Sequence, residues 1–397
     1  MPETVKQFYL EPSRFEGEAR VLELREEDGR YAVVLDASLF YPEGGGQPCD
    51  LGSIDNLPLR SVTEKDGEIL HWFEEKPGFI PGDQVFMNVD GKRRIDHSQQ
   101  HSGQHLLSAI LERKYGIHTL SFHLGLSYST IDVTAPAMDQ DMIEALEDEA
   151  EAFIARNHPY VFHVCPPEDP QSFPFRKRLP EGEEEIRIIE IKDYDWVACC
   201  GTHVSSAADL RILSVLQAEK YKGNTRLYFV AGARASLLLR RRKEALEAIA
   251  ASLGTSSEEA ATKVDALKAR NAILETDRAT LVQDTARLEV ALRALENRNN
   301  RSKTLLFTLY DKGAEAAFET VKAGANSGYS TIALSVLDKT VCVMVPQARS
   351  ANLVKSLKAL LAEHKGRGGG AGNNFRATFD SPDTAKTFFD SASALLG

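Results

Sequence analysis

The chain has 397 residues, enough for two or three domains that each bury a sizeable core. Its 43% hydrophobic and 26% charged content is that of an ordinary folded protein, with no uninterrupted apolar run of membrane-spanning length. A net charge of −11 argues against a nonspecific nucleic-acid coat, five cysteines are too few for a disulfide framework, and no signal-peptide pattern opens the chain, so a cytoplasmic protein is expected.

Residues 1–92 read as mostly β. Segments 19–23 and 31–36 are strand-like, with Asp28-Gly29 as the turn between them. Asp66-Gly67 separates a second pair, 59–62 and 69–73, and a strand at 85–89 follows Pro81-Gly82. Short strands without helical periodicity suggest a small barrel. Inside this region lies Ser38-Leu-Phe40-Tyr41-Pro42-Glu43-Gly44-Gly45-Gly46-Gln47. No Lys-Ser/Thr follows the three glycines, so they are not a nucleotide phosphate loop. They fit a flexible connection, or a backbone that approaches a ligand closely beside the Gln47 amide, which offers both donor and acceptor.

Residues 93–235 read as α+β. Asp96 followed by Gln99 has the form of a capping box, and Leu106, Leu107, Ile110 and Leu111 recur at helical spacing. His101 and His105 then share one helix face, as do His97 and His101. Strands are expected at 119–124, 129–133, 160–164, 186–191, 212–217 and 227–230, with an acidic helix over 138–156. Between them stands Cys199-Cys200-Gly201-Thr202-His203. Imidazoles and a thiolate make a tetrahedral zinc set, but spacing leaves both the histidine register and the choice between Cys199 and Cys200 open.

Residues 236–302 continue a helical stretch that begins at 234. Gly254 stops its first part, and Thr255-Ser256-Ser257-Glu258 offers a restart. Leu267, Leu274, Leu281, Leu288 and Leu295 recur every seven residues as the d seam of a coiled coil, with Val264, Asn271, Arg278, Thr285 and Leu292 at a. A modest dimer or a helical hairpin fits this pattern. Residues 303–397 read as an α/β unit with strands at 305–309, 331–336, 341–345 and 375–379 and helices at 314–323 and 353–363. The run Lys365-Gly366-Arg367-Gly368-Gly-Gly370 reads as a loop whose amides and guanidinium could meet a phosphate. Basic clusters at 92–94, 176–178, 220–226 and 240–243 (Arg240, Arg241, Arg242, Lys243) could do the same.

Three of these stretches resemble one family. His101-Ser-Gly-Gln-His105-Leu-Leu, Cys199-Cys-Gly-Thr-His203-Val and Phe40-Tyr-Pro-Glu-Gly-Gly-Gly-Gln47 look like the zinc and glycine motifs of the alanyl-tRNA synthetase editing domain and its free-standing relatives, the AlaX proteins of the long type. The resemblance implies His101, His105, Cys199 and His203 as ligands of one Zn2+. It implies Ser38, in the place of the family's threonine, together with Gly46 and Gln47, as the residues that read the misattached amino acid. Cys200 departs from the family's glycine and sets a spare thiol beside the metal. The implied fold is α+β: a small β-barrel, an editing domain, a helical linker, and a C-terminal domain like that of DHH phosphoesterases, though no Asp-His-His motif supports phosphoesterase chemistry. The implied activity is hydrolysis, in trans, of serine or glycine from mischarged tRNA(Ala), with Arg240–Arg242 and Gly366–Gly368 on the tRNA and a homodimer through the helix and C-terminal domain. The rival class is a non-catalytic RNA-binding protein with structural zinc. A zinc peptidase lacks its His-Glu-x-x-His.

Overall fold

Alternation of polar and buried residues along a 12-residue strand, Glu16–Glu27, builds the N-terminal sheet. The computed structural model describes residues 4–27, 29–165, 186–299, 303–350 and 352–396. It divides into two compact units, Met1–Leu246 and Glu247–Gly397. In chain order the first elements are β1 (Val5–Lys6), α1 (Gln7–Leu10), β2 (Glu16–Glu27), β3 (Arg30–Leu35), β4 (Ala37–Ser38), β5 (Gly52–Ile54), β6 (Leu57–Pro58), β7 (Ser61–Lys65), β8 (Glu68–Phe73) and β9 (Gln84–Val89). The first half of β2 pairs with β9 and its second half with β3, giving a seven-stranded sheet in the order β6-β5-β9-β2-β3-β8-β7. The expected barrel is therefore not formed: β6 and β7 are the two ends of an open sheet, and no ladder joins them among the described residues. Asp66 and Gly67 do make the β7–β8 turn, whereas Asp28 lies outside the described residues.

The second half of this unit is organised on α2 (Gly91–Tyr115), which is buried almost without interruption from His97 to Leu111. Around it run β10 (Thr119–Leu124), β11 (Ser129–Val133), α3 (Gln140–Arg156), β12 (Tyr160–Cys165), β13 (Ile186–Ile191), β14 (Asp195–Ala198), β15 (Leu213–Tyr221) and β16 (Asn224–Ala231). They form a four-stranded sheet, β10-β11-β16-β15, and a three-stranded sheet, β12-β13-β14. Leu106, Leu107, Ile110 and Leu111 pack with Ile131, Leu227, Phe229, Leu146 and Phe153 in one core. The expected start of α2 at Asp96 is corrected. Asp90 caps the helix by accepting from the Arg93 amide at 3.1 Å, while Asp96 sits inside it and pairs with Arg234 at 2.7 Å. A half-buried guanidinium at that point is a stronger claim on the carboxylate than a cap.

Helix α4 (Gly232–Leu253) carries the chain out of this unit, and Gly254 ends it with φ +64. The C-terminal unit holds α5 (Ala260–Glu296), β17 (Thr304–Leu309), α6 (Ala314–Asn326), β18 (Ser330–Ser335), β19 (Thr340–Met344), α7 (Leu353–Glu363), β20 (Arg367–Ala371), β21 (Asn374–Thr378) and α8 (Pro382–Leu396). Its sheet runs β17-β18-β19-β21-β20, with only β17 and β18 parallel. Two features depart from expectation. Gly366 precedes, and Arg367–Ala371 form, an edge strand rather than a loop, because the backbone facing β21 is taken up in an antiparallel ladder from Arg367↔Thr378 to Ala371↔Asn374. Helix α8, which buries Phe388 and Phe389, follows where no element was expected. On α5 the buried positions Ala286 and Val290 dock the helix on its own unit, and they lie opposite the leucine seam. The chain is thus a mixed α+β protein. No helix among the described residues is long and apolar enough to cross a membrane.

Candidate metal centre

Two segments about a hundred residues apart in sequence meet at α2. His101 and His105 project from one face of this helix, and Cys199 and His203 come from the turn after β14. One ligand atom from each of the four lies within 4.8 Å of every other. The Cys199 Sγ is 3.4 Å from His101 Nε2 and 3.3 Å from His203 Nε2. Bonds of about 2.0 Å to nitrogen and 2.3 Å to sulfur at tetrahedral angles need donors roughly 3.5 Å apart. The donor set therefore fits one small divalent ion.

The group behind His101 fixes its tautomer. Gln47 Oε1 can only accept, so its 2.9 Å contact places the proton of His101 on Nδ1 and leaves the Nε2 lone pair for the ion. The same oxygen accepts from the Thr202 amide at 3.1 Å, and Gln47 Nε2 donates to Thr202 Oγ1 at 2.8 Å. Ser98 donates to that hydroxyl too, at 2.9 Å. His203 Nδ1 lies 3.0 Å from Ser102 Oγ, which also accepts from the Val204 amide. Phe122 of β10 stacks on His101, with ring centroids 5.2 Å apart. Burial, with the cations of Arg187 and a neighbouring imidazole behind it, lowers the His101 pKa to about 3. Burial pushes His203 well below its ordinary value and the Cys199 thiol up to about 11. Neutral rings are what a metal needs from histidine.

The glycine stretch serves the site through a turn. Gly44 and Gln47 exchange backbone hydrogen bonds, and Gly45 (φ +57) and Gly46 (φ +81) are the central residues of a tight hairpin turn that other L-residues fill poorly. A Cβ on Gly46 would meet Phe122 at 3.4 Å. The loop is anchored by a buried ion pair: Arg94 Nε donates to Asp50 at 2.8 Å, Arg94 Nη2 donates to the Leu39 carbonyl at 2.6 Å, and Asp50 accepts from the Tyr41 amide at 2.7 Å. Arg94 is thus an internal staple, not part of a basic surface. Gly201 meets a closer limit, since a Cβ there would lie 2.1 Å from the His101 ring. Cys200 has no such demand: its φ is not in the left-handed region, and the residue is exposed.

Not every expected residue converges. Ser38 is fully buried under the N-terminal sheet, where its hydroxyl meets His71 Nε2 at 2.8 Å and accepts from the Phe40 amide at 3.1 Å. Arg240, Arg241 and Arg242 are exposed on α4, as are Arg367 and Gly368 on β20. The cluster Arg176, Lys177 and Arg178 lies outside the described residues. Arg226 is paired with Asp132 at 2.6 Å. Sequence reasoning missed Thr202, Ser98, Ser102 and Phe122. For Ser98 and Ser102 the signal was polarity within a helix that the structure buries; Thr202 and Phe122 lie outside that helix, in the turn after β14 and in β10.

Residues 186–228 match the model of the threonyl and alanyl tRNA synthetase second additional domain. The chain is 32% identical over 351 residues to the alanyl-tRNA editing protein Aarsd1 of Mus musculus, covering 87% of this chain and 84% of the relative. It is 37% identical over 237 residues to the alanyl-tRNA editing protein AlaX-L of Pyrococcus horikoshii, covering 57% of this chain and 58% of that one. Similarity to the alanine–tRNA ligase of Halorubrum lacusprofundi is 32% over 259 residues, but spans only 28% of the ligase.

Proposed function

Since the chain belongs to the family of alanyl-tRNA editing proteins, we propose that it acts in trans on mischarged tRNA(Ala), hydrolysing the ester that holds serine or glycine. The observation that carries this reading is the meeting of His101, His105, Cys199 and His203 with Gln47, whose single amide touches both a metal donor and Thr202. Zn2+ is the ion this donor set suits, one per chain, and when bound it would supply a Lewis-acid centre that fixes the amino-acid moiety.

The chemical problem is discrimination. An apolar pocket rejects serine poorly, because one added hydroxyl changes packing little. A second site made of hydrogen-bonding groups selects serine, since alanine would leave those groups unpaired. Gln47 and the Gly45-Gly46 turn are the groups placed for this beside the donors. Ser38 contributes from behind, through the loop that begins at Phe40 and ends on Gln47. Ser38→Val is expected to narrow the difference between seryl and alanyl substrates; unchanged discrimination removes Ser38 from this role.

The tRNA body is taken by the exposed arginines Arg240, Arg241 and Arg242 and by Arg367 between Gly366 and Gly368, with residues 303–397 as a tRNA-binding or dimerisation domain. A homodimer forms through the a/d seam of α5, whose opposite face already packs on its own unit. The protein works in the cytoplasm.

One observation favours a second reading. Four buried or half-buried protein donors fill a tetrahedron, which is the pattern of a structural site in a non-catalytic RNA-binding protein. Incubating the purified protein with seryl-, glycyl- and alanyl-tRNA(Ala), with and without chelator, separates the two. Chelator-sensitive loss of serine with alanine retained supports editing. Tight tRNA binding with no deacylation supports the rival.

A further inference from the structure

The turn that carries Cys199 and His203 has a second set of supports besides Gln47. Arg187, at the start of β13, lies flat between two aromatic rings, with its guanidinium carbon 4.0 Å from the Tyr9 centroid and 4.0 Å from that of Phe162. Its Nη1 donates to the Cys199 carbonyl at 3.2 Å and to the Gly201 carbonyl at 2.6 Å. The Tyr9 hydroxyl donates to the carbonyl between them, that of Cys200, at 2.6 Å. Three successive carbonyls of the metal-binding turn are thus held by one guanidinium and one phenol. The Cys199 amide donates in turn to the Arg187 carbonyl at 3.0 Å.

The Thr202 and Val204 amides are taken by Gln47 and Ser102, and the Gly201 amide donates to Cys199 Sγ at 3.3 Å. A turn whose backbone groups are so fully committed has one conformation before any ion arrives. We propose that Arg187, clamped between Tyr9 and Phe162, is a positioning residue that sets the Cys199 sulfur and the His203 ring at ligand distance, with Tyr9 completing the clamp. The inference rests on the reading of these four residues as metal ligands. Lysine cannot replace Arg187, because an ammonium has no planar face to stack between the Tyr9 and Phe162 rings.

The test uses the full chain as wild type, Arg187→Lys, Arg187→Gln and Tyr9→Phe. Zinc affinity is read by competition with a chromophoric chelator, ligand geometry by the visible spectrum of the cobalt-loaded protein, and folding by the melt of the metal-free form. Both arginine variants are expected to bind zinc about 10- to 100-fold more weakly, with altered cobalt bands, as for other groups that orient metal ligands. Tyr9→Phe keeps the ring and loses one carbonyl contact, so a loss of about fivefold is expected. A lowered melt with wild-type affinity and an unchanged cobalt spectrum makes Arg187 an ordinary packing residue and overturns the inference. If both arginine variants fail to fold, Tyr9→Phe decides, and wild-type affinity in it overturns the clamp. Wild-type protein that takes up no metal overturns the ligand reading itself, a different result from either.

Discussion

At the candidate metal centre of the N-terminal unit the chain backs its donors with hydrogen bonds of its own, whereas along α5 of the C-terminal unit it leaves an apolar seam open. Gln47, Ser98 and Thr202 form a connected network behind His101, and Ser102 backs His203. On α5 the five seam leucines are 45% to 72% exposed, while Val290 on the opposite face is 2% exposed. The difference is between chemistry that names its partner and periodicity that names only a face. A thiol and three imidazoles require one another around an ion. A heptad of leucines requires burial and is indifferent to what provides it.

The sharpest way to break the comparison is to remove a donor. Cys199→Ala or His105→Ala is expected to abolish stoichiometric metal uptake, checked by metal analysis of the purified variants, and to abolish deacylation with it. Retained activity in a metal-free variant would show that the network alone performs the chemistry. Next in size is the buried ion pair beneath the glycine loop. Arg94→Met leaves Asp50 charged and fully buried, so a loss of about 3–5 kcal/mol is expected in denaturant unfolding, as for other broken internal pairs.

A comparable effect depends on pH. Burial holds His71 at about 4, below its ordinary 6.5, so it is neutral in the folded protein while the unfolded chain takes up a proton. Its contribution is complete above about pH 6.5 and is lost as pH falls toward 4, by about 3 kcal/mol for the full shift. Stability profiles of wild type and His71→Gln should converge across that window. Parallel profiles would show that His71 does not titrate there.

The smallest effects are expected on α5, and their pattern matters more than their size. Val290→Ala should cost about 1.5 kcal/mol at roughly 0.8 per buried CH2. Leu281→Ala and Leu288→Ala should leave the stability of the single chain within about 0.5 kcal/mol. In sedimentation they should shift a homodimer toward monomer. An unchanged sedimentation coefficient would leave the seam without the role proposed for it.

What the sequence made legible follows the same division. His101, His105, Cys199, His203 and Gln47 could be picked out because their chemistry is rare and their resemblance specific. Most strands were placed close to their observed bounds by short apolar runs and the turn residues between them. Sheet closure was not legible, since nothing in β6 or β7 states whether an edge finds a partner. The Asp96 cap misled because the same Asp-x-x-Gln spacing serves a half-buried ion pair with Arg234 and an amide bridge from Gln99 to the Ala233 backbone. The strand at Arg367–Ala371 was hidden by glycine, whose local preference for turns was overridden by an antiparallel ladder with β21. Arg187 and Tyr9 carried no signal, because their role exists only once three carbonyls of a remote turn are brought to them.

Native mass spectrometry of the purified full-length chain tests the central claim most directly. The wild type is expected at the mass of one chain, or of two in a dimer, plus one zinc per chain, and His105→Ala at the bare mass. Wild-type protein without a metal ion under conditions that preserve folding, or His105→Ala with a full complement, would contradict the account.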